Sequence, residues 1–312
     1  MLIKGQKIAN YIIDDDLGNG NFSFVYRAID ENNKKPVALK ICKENIDSSD
    51  IKRFKRENEI LYILSPHKRI IEPYNKATKE GAYYFFVMEL ADCALDKYLN
   101  LNYSLSFNDK IELFKKICEG VYHAHKKDII HRDLWWKNVL MINNGNKAEP
   151  KLADFGRAKN FNGHCREYYH PQTVSVCNVI CPPENYFFIW EKADLEKYAY
   201  ADIYALGIIL YFIMGSEPVL YHNAINADIL QFITQKKLKF SDLSSLSITE
   251  RGNLYKEWQE QFDTYLIDSN LKVVLPDMGQ EEKINTFIKK MCQLDYKKRY
   301  SNIGCLLKDL SK

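Results

Sequence analysis

The sequence predicts an α+β chain of two lobes: a small five-stranded β lobe with one main helix, then a larger, mostly helical lobe. Three observations carry this. Apolar residues alternate with polar ones through much of the segment before Asp92, which is the period of strands. From Asp92 onward the apolar period lengthens to that of amphipathic helices. Within the strand-rich part, one segment around Phe54, Ile60, Leu61 and Leu64 carries helical spacing, which gives the β lobe its helix.

Taken in order, Ile8–Leu17 reads as a strand and Gly18-Asn19-Gly20-Asn21 as a turn. Phe22–Ile29 is a second strand, Glu31-Asn32-Asn33-Lys34 a hairpin turn, and Pro36–Cys42 a third strand. The helix follows and stops at Pro66. Ile70–Asn75 and Ala82–Leu90 complete the five strands. Strand character ends at Glu89–Asp92, so the chain divides into 1–91 and 92–312, two lobes of a single domain spanning the sequence. In the second lobe Ile111, Phe114, Ile117, Val121 and Ala124 define a helix over Ser106–Lys127, with Ser106 and Asp109 spaced for a capping box. Short strands are expected at Val139–Ile142 and Lys151–Ala153. A polar, cysteine-bearing segment spans Asp154–Glu184, and Tyr200–Met214 is a strongly apolar helix.

Composition narrows the function classes. The 312 residues carry a net charge of only +3, with both signs interspersed, so no one-sided basic face for nucleic acid is expected. The longest apolar run, Ile208–Met214, is far too short to span a bilayer. Met1–Asp16 lacks the apolar core of a secretory leader. The eight cysteines are scattered with no CxxC pair, which fits reduced thiols and a cytoplasmic location.

Four short motifs carry chemistry. Leu17-Gly18-Asn19-Gly20-Asn21-Phe22-Ser23-Phe24-Val25 joins two strands with small residues that allow backbone N–H groups to approach phosphates, although a plain hairpin has the same appearance. Val37-Ala38-Leu39-Lys40 ends an apolar strand with an ammonium group that can hold phosphate oxygens. Glu57, on the following helix, is positioned to orient Lys40, while Glu59 is its bland neighbour. A solvated lysine and glutamate would be the ordinary alternative. His131-Arg132-Asp133-Leu134-Trp135-Trp136-Lys137-Asn138 offers a carboxylate for a hydroxyl proton at Asp133 and an amide oxygen at Asn138. Asp154-Phe155-Gly156 adds a second metal-binding oxygen group. One Asp and one Asn suit Mg²⁺, which keeps water and phosphate oxygens in its shell.

In this order and spacing these motifs resemble the eukaryotic-type (Hanks-type) protein kinase domain, and the resemblance covers almost the whole chain. It extends to Pro182-Pro183-Glu184, where the family has Ala-Pro-Glu; to Asp202-Ile203-Tyr204-Ala205-Leu206-Gly207, similar to the central helix of the large lobe; and to Arg299, similar to the arginine that pairs with that glutamate. The resemblance implies ATP and Mg²⁺ (Mn²⁺ as a substitute) bound between the lobes, and a protein Ser/Thr hydroxyl as acceptor, with Tyr as the alternative and autophosphorylation expected. It implies that Leu17, Gly18, Gly20, Ser23, Val25, Ala38 and Leu140 enclose the nucleotide and that Lys40 holds its phosphates. Met88 is then the gatekeeper, and Glu89 and Ala91 belong to the hinge that meets adenine. Asn138 and Asp154 hold the metal, Asp133 orients the acceptor, Glu57 orients Lys40, and Lys137 offsets phosphoryl charge. As a cleft residue, Lys40 is expected to be replaceable by Ala without harm to the fold.

The chain departs from the family in three places. Ser23 stands for the third loop glycine, Pro182 precedes the Pro-Glu pair, and Trp135 occupies the usual lysine position two residues after Asp133. Two other readings share the pattern: a nucleotide-binding pseudokinase, and a small-molecule phosphotransferase of the same fold. The presence of Lys40, Asp133 and Asp154 speaks against the first, and Arg132, Phe155 and the long Asp154–Glu184 segment against the second. Arg132, with Lys151, Arg157 and Lys159 nearby in sequence, suggests a phosphate switch on Thr173 or Ser175, then Tyr168 or Tyr169. His164, Cys165, His170, Cys177 and Cys181 match no zinc spacing and read as ordinary thiols and imidazoles.

Overall fold

The computed structural model describes residues 2–20, 22–44, 47–102, 104–145, 147–161, 180–189, 195–215, 218–262 and 278–312. By contact these fall into two compact units, Met1–Tyr103 with Trp136–Ala158, and Ser104–Trp135 with Lys159–Lys312. The linear division at 91/92 follows where strand character stops. The contact grouping instead carries the segment after Asp92 and a later hairpin into the first unit.

The first unit is built on an antiparallel sheet ordered β1-β2-β3-β4-β6-β5: β1 Lys7–Ile8, β2 Tyr11–Asn19, β3 Ser23–Asp30, β4 Pro36–Cys42, β5 Thr78–Glu80 and β6 Tyr83–Met88. Strand parity sorts its two faces. Ile13, Tyr26, Ala28, Val37, Leu39, Ile41, Phe85 and Val87 pack together with Leu2 and Ile8 as the core of one face. The other parity presents Val25, Ala38, Lys40, Phe86 and Met88, because Val25 lies opposite Lys40, Ala38 opposite Met88 and Lys40 opposite Phe86. Helix α1, Ser48–Leu64, covers part of this second face, with the Phe54 and Phe86 rings 5.0 Å apart. Asp47 caps α1 by accepting hydrogen bonds from the N–H groups of Ser49 and Asp50, and the chain leaves the helix at Ser65 before Pro66.

Two local expectations change. Gly18 and Asn19 are not turn residues but the end of β2, paired with Val25 and Phe24. Ile70–Asn75 is not a strand: it makes only isolated bridges, Ile70 to Leu152 and Pro73 to Met88. Its apolar residues suggested strand, yet Pro73 has no N–H to continue a ladder. The segment instead serves as a strap with partners on both sides. Ile71 N–H donates to the Leu152 carbonyl (3.0 Å), and the Tyr74 N–H to the Val87 carbonyl (2.8 Å).

The same unit holds β7 Cys93–Ala94, helix α2 Leu95–Leu101, and the hairpin β9 Val139–Asn144 and β10 Lys147–Leu152, which pair in the order β10-β9-β7. The second unit is helical. Helix α3, Phe107–Lys126, starts at Ser106, whose hydroxyl accepts from the Asp109 N–H. It packs against α5, Leu195–Ile213, which follows the short helix α4, Pro183–Tyr186, and in which every residue from Ala201 to Leu210 is buried. Gly207 makes one close approach on α5 feasible, since a Cβ there would stand 2.8 Å from the Met291 Cβ. Two short strands, β8 Ile129–Ile130 and β11 Lys159–Asn160, pair antiparallel beside this helical core. No helix among the described residues is long and apolar enough to cross a membrane.

Candidate active site

Three titratable side chains meet in the first unit. Lys40 Nζ donates to Glu57 Oε1 at 2.6 Å and to Asp154 Oδ1 at 3.3 Å. Strand parity turns Lys40 toward α1, and helical period decides which glutamate meets it: Glu57 is buried, whereas Glu59 is exposed. Burial alone would lower the Lys40 pKa, but the carboxylates of Asp154 and Glu57 outweigh it and hold the ammonium above its ordinary value. Burial also pushes Glu57 up to about 7, against the pull of Lys40 and with the help of the Asp154 charge.

This geometry corrects one expectation. Lys40 is only 6% exposed, so it belongs to the interior as much as to a cleft. Lys40→Ala strands the Glu57 carboxylate in a buried place, and a loss of roughly 3–5 kcal/mol of stability is expected at neutral pH and above. The pH dependence has a definite sign. Folding raises the Glu57 pKa, so its stabilising contribution is full below pH 4.5 and is lost as pH rises through about 7. Urea unfolding at pH 5 and pH 8 is expected to show wild type losing stability relative to Glu57→Gln across that window. Parallel pH profiles for the two proteins would remove the assignment.

Asp154 stands at the end of the β9–β10 hairpin. Val139 pairs with Leu152, and the Ala153 N–H donates to the Asn138 carbonyl at 2.9 Å, which brings Asn138 and Asp154 to the same end of the two strands. Asp154 has a left-handed backbone (φ 56°), and its side chain is 48% exposed. Asn138 is buried in the short 3₁₀ turn Trp136–Asn138. One carboxylate and one amide at the same end of the hairpin make up a hard-oxygen donor set of low charge, a type that fits Mg²⁺ bound mainly by phosphate and water. Space at Gly156 is tight: a Cβ there would stand 3.2 Å from Asp154 Oδ1 and 3.3 Å from Glu57 Oε2, so a larger residue would need these carboxylates to shift. Lys137, next to Asn138, is exposed.

The glycine-rich segment closes tightly. The Gly20 N–H donates to the Ser23 carbonyl at 2.9 Å, and Ser23 is buried. A β-bulge between Asp16 and Gly18 leaves Leu17 as the extra residue, 49% exposed. Among the described residues, nothing lies within 4 Å of a Cβ built at Gly18. Val25, Ala38 and Met88 share one sheet face, as their register requires. Leu140 lies on β9, opposite Lys151 and Ala94. Glu89 and Ala91 are half-buried in the segment that follows β6.

The second unit holds Asp133. Its N–H donates to His131 Nδ1 at 3.3 Å. Arg132 takes a left-handed conformation (φ 65°), which is costly for a residue with a Cβ. Asp202, buried on α5, holds that loop: its Oδ2 accepts from the His131 N–H at 2.9 Å and its Oδ1 from the Arg132 N–H at 2.8 Å. His125 Nε2 lies 2.8 Å from Asp202 Oδ2. Burial would raise the Asp202 pKa, but the His125 hydrogen bond and the neighbouring N–H groups hold it below the usual carboxylate range. Sequence reading saw Asp202 only as part of a helix. A carboxylate opening an otherwise apolar run was the available signal.

Arg299 forks onto Glu184, Nη1 to Oε1 at 2.5 Å and Nη2 to Oε2 at 2.8 Å, with both side chains fully buried. Lys151, considered above as a charge for a phosphate switch, is instead ion-paired with Glu89. Lys159 lies over the Phe161 ring. Thr173, Ser175, Tyr168 and Tyr169, and likewise His164, Cys165, His170 and Cys177, lie outside the described residues. Cys181 is buried.

Comparison with known proteins agrees with this geometry. The chain is 30% identical over 217 residues to serine/threonine-protein kinase SIK1 of Mus musculus, covering 69% of this chain and 26% of that protein. It is 27% identical over 251 residues to serine/threonine-protein kinase atg1 of Dictyostelium discoideum, covering 77% and 35%. With serine/threonine-protein kinase PrkC of Bacillus subtilis it shares 28% identity over 213 residues, covering 68% and 31%. The matched stretch is thus about a quarter to a third of the length of these relatives. The family profile described as protein kinase domain matches residues 11–309, nearly the whole sequence, and the chain belongs to the protein kinase domain family.

Proposed function

We propose that this chain is an ATP- and Mg²⁺-dependent protein kinase that transfers the γ-phosphoryl group to a Ser or Thr hydroxyl of a protein, itself included. The observation that carries the reading is the meeting of Lys40, Glu57 and Asp154, two of them buried and the third open to solvent. A lysine kept charged by two carboxylates is ready to hold phosphate oxygens, and Glu57 fixes its direction. Asn138 and Asp154 would hold the metal, with Mn²⁺ as a substitute. When bound, the cation neutralises phosphate charge and helps align the chain of phosphates.

Leu17, Gly18, Gly20, Ser23, Val25, Ala38, Met88, Glu89, Ala91 and Leu140 would enclose the nucleotide. Asp133 would accept the hydroxyl proton as the substrate oxygen bonds to the γ-phosphorus and the bond to the β-phosphate oxygen breaks, leaving ADP. Catalysis of this type needs positioning and charge stabilisation more than covalent help. Lys137, exposed beside Asn138, would supply the positive charge that other members place two residues after the catalytic Asp, where this chain has Trp135. A cytoplasmic location, a protein substrate and no nucleic-acid partner belong to the same reading.

The test is incubation with labelled ATP, Mg²⁺ and a generic protein acceptor, followed by mass spectrometry of the modified residues. Phosphoserine and phosphothreonine are expected. Phosphotyrosine alone would overturn the acceptor class. Nucleotide binding without any transfer would replace the kinase by a pseudokinase.

A further inference from the structure

We propose that the Glu89–Lys151 ion pair is a brace. It sets the spacing between the Glu89–Ala91 backbone and the Asn138/Asp154 end of the β9–β10 hairpin, and makes Lys151 a positioning residue for a nucleotide gripped at both ends. The proposal rests on the nucleotide-binding reading above. Lys151 Nζ donates to both carboxylate oxygens of Glu89, at 2.9 Å and 2.7 Å. The two side chains are only 13% and 20% exposed. Lysines ordinarily extend into water, and exposed pairs contribute little. A lysine that lies in a strand and spends its ammonium on a carboxylate, away from solvent, is fixing the distance between two backbones.

The surroundings say which backbones. Between Glu89 and β10 runs the strap at residues 69–74, bonded on both sides. The Leu152 N–H donates to the Arg69 carbonyl at 2.8 Å, and the Ile71 N–H to the Leu152 carbonyl at 3.0 Å. On the other side the Glu89 N–H donates to the Glu72 carbonyl at 2.9 Å, and the Glu72 N–H reaches Glu89 Oε2 at 3.3 Å. Lys151 therefore closes a ring around the strap. Glu149, two residues before Lys151 and on the same side of β10, forms a second ion pair with Arg69. Three residues after Lys151 the strand delivers Asp154, and Lys151 pairs in register with Leu140.

The physical consequence is specific to ligands that touch both ends. A ligand held at two places binds with the benefit of both only when their spacing matches it. Loosening the brace leaves each end intact but mismatches the pair. Calorimetry on the full chain with MgADP and with adenosine separates the cases. Lys151→Met is expected to weaken MgADP about tenfold or more while adenosine affinity stays within about twofold. The charge swap Glu89→Lys with Lys151→Glu is expected to return MgADP binding to within about threefold of wild type. Lys151→Gln, which removes the charge and keeps a polar end, acts in the same direction as Lys151→Met and serves if the latter fails to fold. Equal weakening of both ligands, unchanged MgADP affinity in the single variants, or a swap that melts like wild type yet binds no better than Lys151→Met overturns the brace. Failure of wild type to bind MgADP overturns the nucleotide-binding reading as well.

Discussion

Asp154→Ala and Asp154→Asn are expected to lower phosphoryl transfer by about 100-fold or more, the size of effect seen when one preorganised charge-stabilising group is removed. Asp154 is the carboxylate available at the exposed end of the β9–β10 hairpin, and Lys40 already connects it to Glu57. The fold is expected to survive. The Asp154 side chain is half exposed, and its removal relieves a charge that raises the Glu57 pKa. The two substitutions differ in backbone cost. At φ 56°, Asn is tolerated, whereas Ala pays roughly 1–2 kcal/mol for the left-handed conformation. Initial rates with labelled ATP, together with a thermal melt of each variant, check both statements. An Asp154→Asn enzyme at wild-type rate would remove Asp154 from the metal site.

Arg299→Met is expected to cost about 3–5 kcal/mol of stability, a large part of the roughly 5–15 kcal/mol that holds a typical domain together. The side chains of both Arg299 and Glu184 are 0% exposed. The guanidinium also donates from Nε to the Gln293 carbonyl at 2.8 Å and from Nη1 to the Tyr200 carbonyl at 3.0 Å, and it lies 4.9 Å from the centre of the Tyr204 ring. Its removal leaves a buried carboxylate and two carbonyl groups without that donor. Arg299→Lys is expected to be nearly as damaging, because an ammonium cannot reproduce the planar fork. Replacing both partners, Arg299→Met with Glu184→Met, is expected to recover much of the loss, since no buried charge is then stranded. Urea unfolding of the three variants distinguishes these outcomes. A single substitution as stable as wild type would contradict the burial on which the prediction rests.

The legible parts of this protein were those in which a short window of sequence already contains the physics. Alternation placed Val25, Ala38 and Lys40 on strands, and Pro36–Cys42 was read to its exact ends. Spacing to Ile60-Leu61 marked Glu57 rather than Glu59 as the partner of Lys40. The Asp133 and Asp154 motifs were legible because their chemistry is carried by neighbours in the chain. Ile70–Asn75 was misread because its partners, Leu152 and Val87, are not local, and a short segment opening on two isoleucines has the same appearance in a strand and in a strap. The depth of Lys40 was missed for a related reason: burial depends on what a helix and a distant turn lay over it.

By itself the sequence determined the class of fold, the order of the motifs and the residue types proposed to meet phosphate and metal, since each follows from local period, spacing and side-chain chemistry. Only the tertiary structure decided the polar pairings that no motif implied. It joined Lys151 to Glu89 and Asp202 to the backbone of His131 and Arg132, and it buried completely the Arg299–Glu184 pair that the family resemblance implied. These partners stand tens of residues or more apart in sequence. Their pairing is set by where packed helices and strands bring buried charges within hydrogen-bond reach, because a charge taken out of water must find a partner and the sequence does not list the candidates by distance.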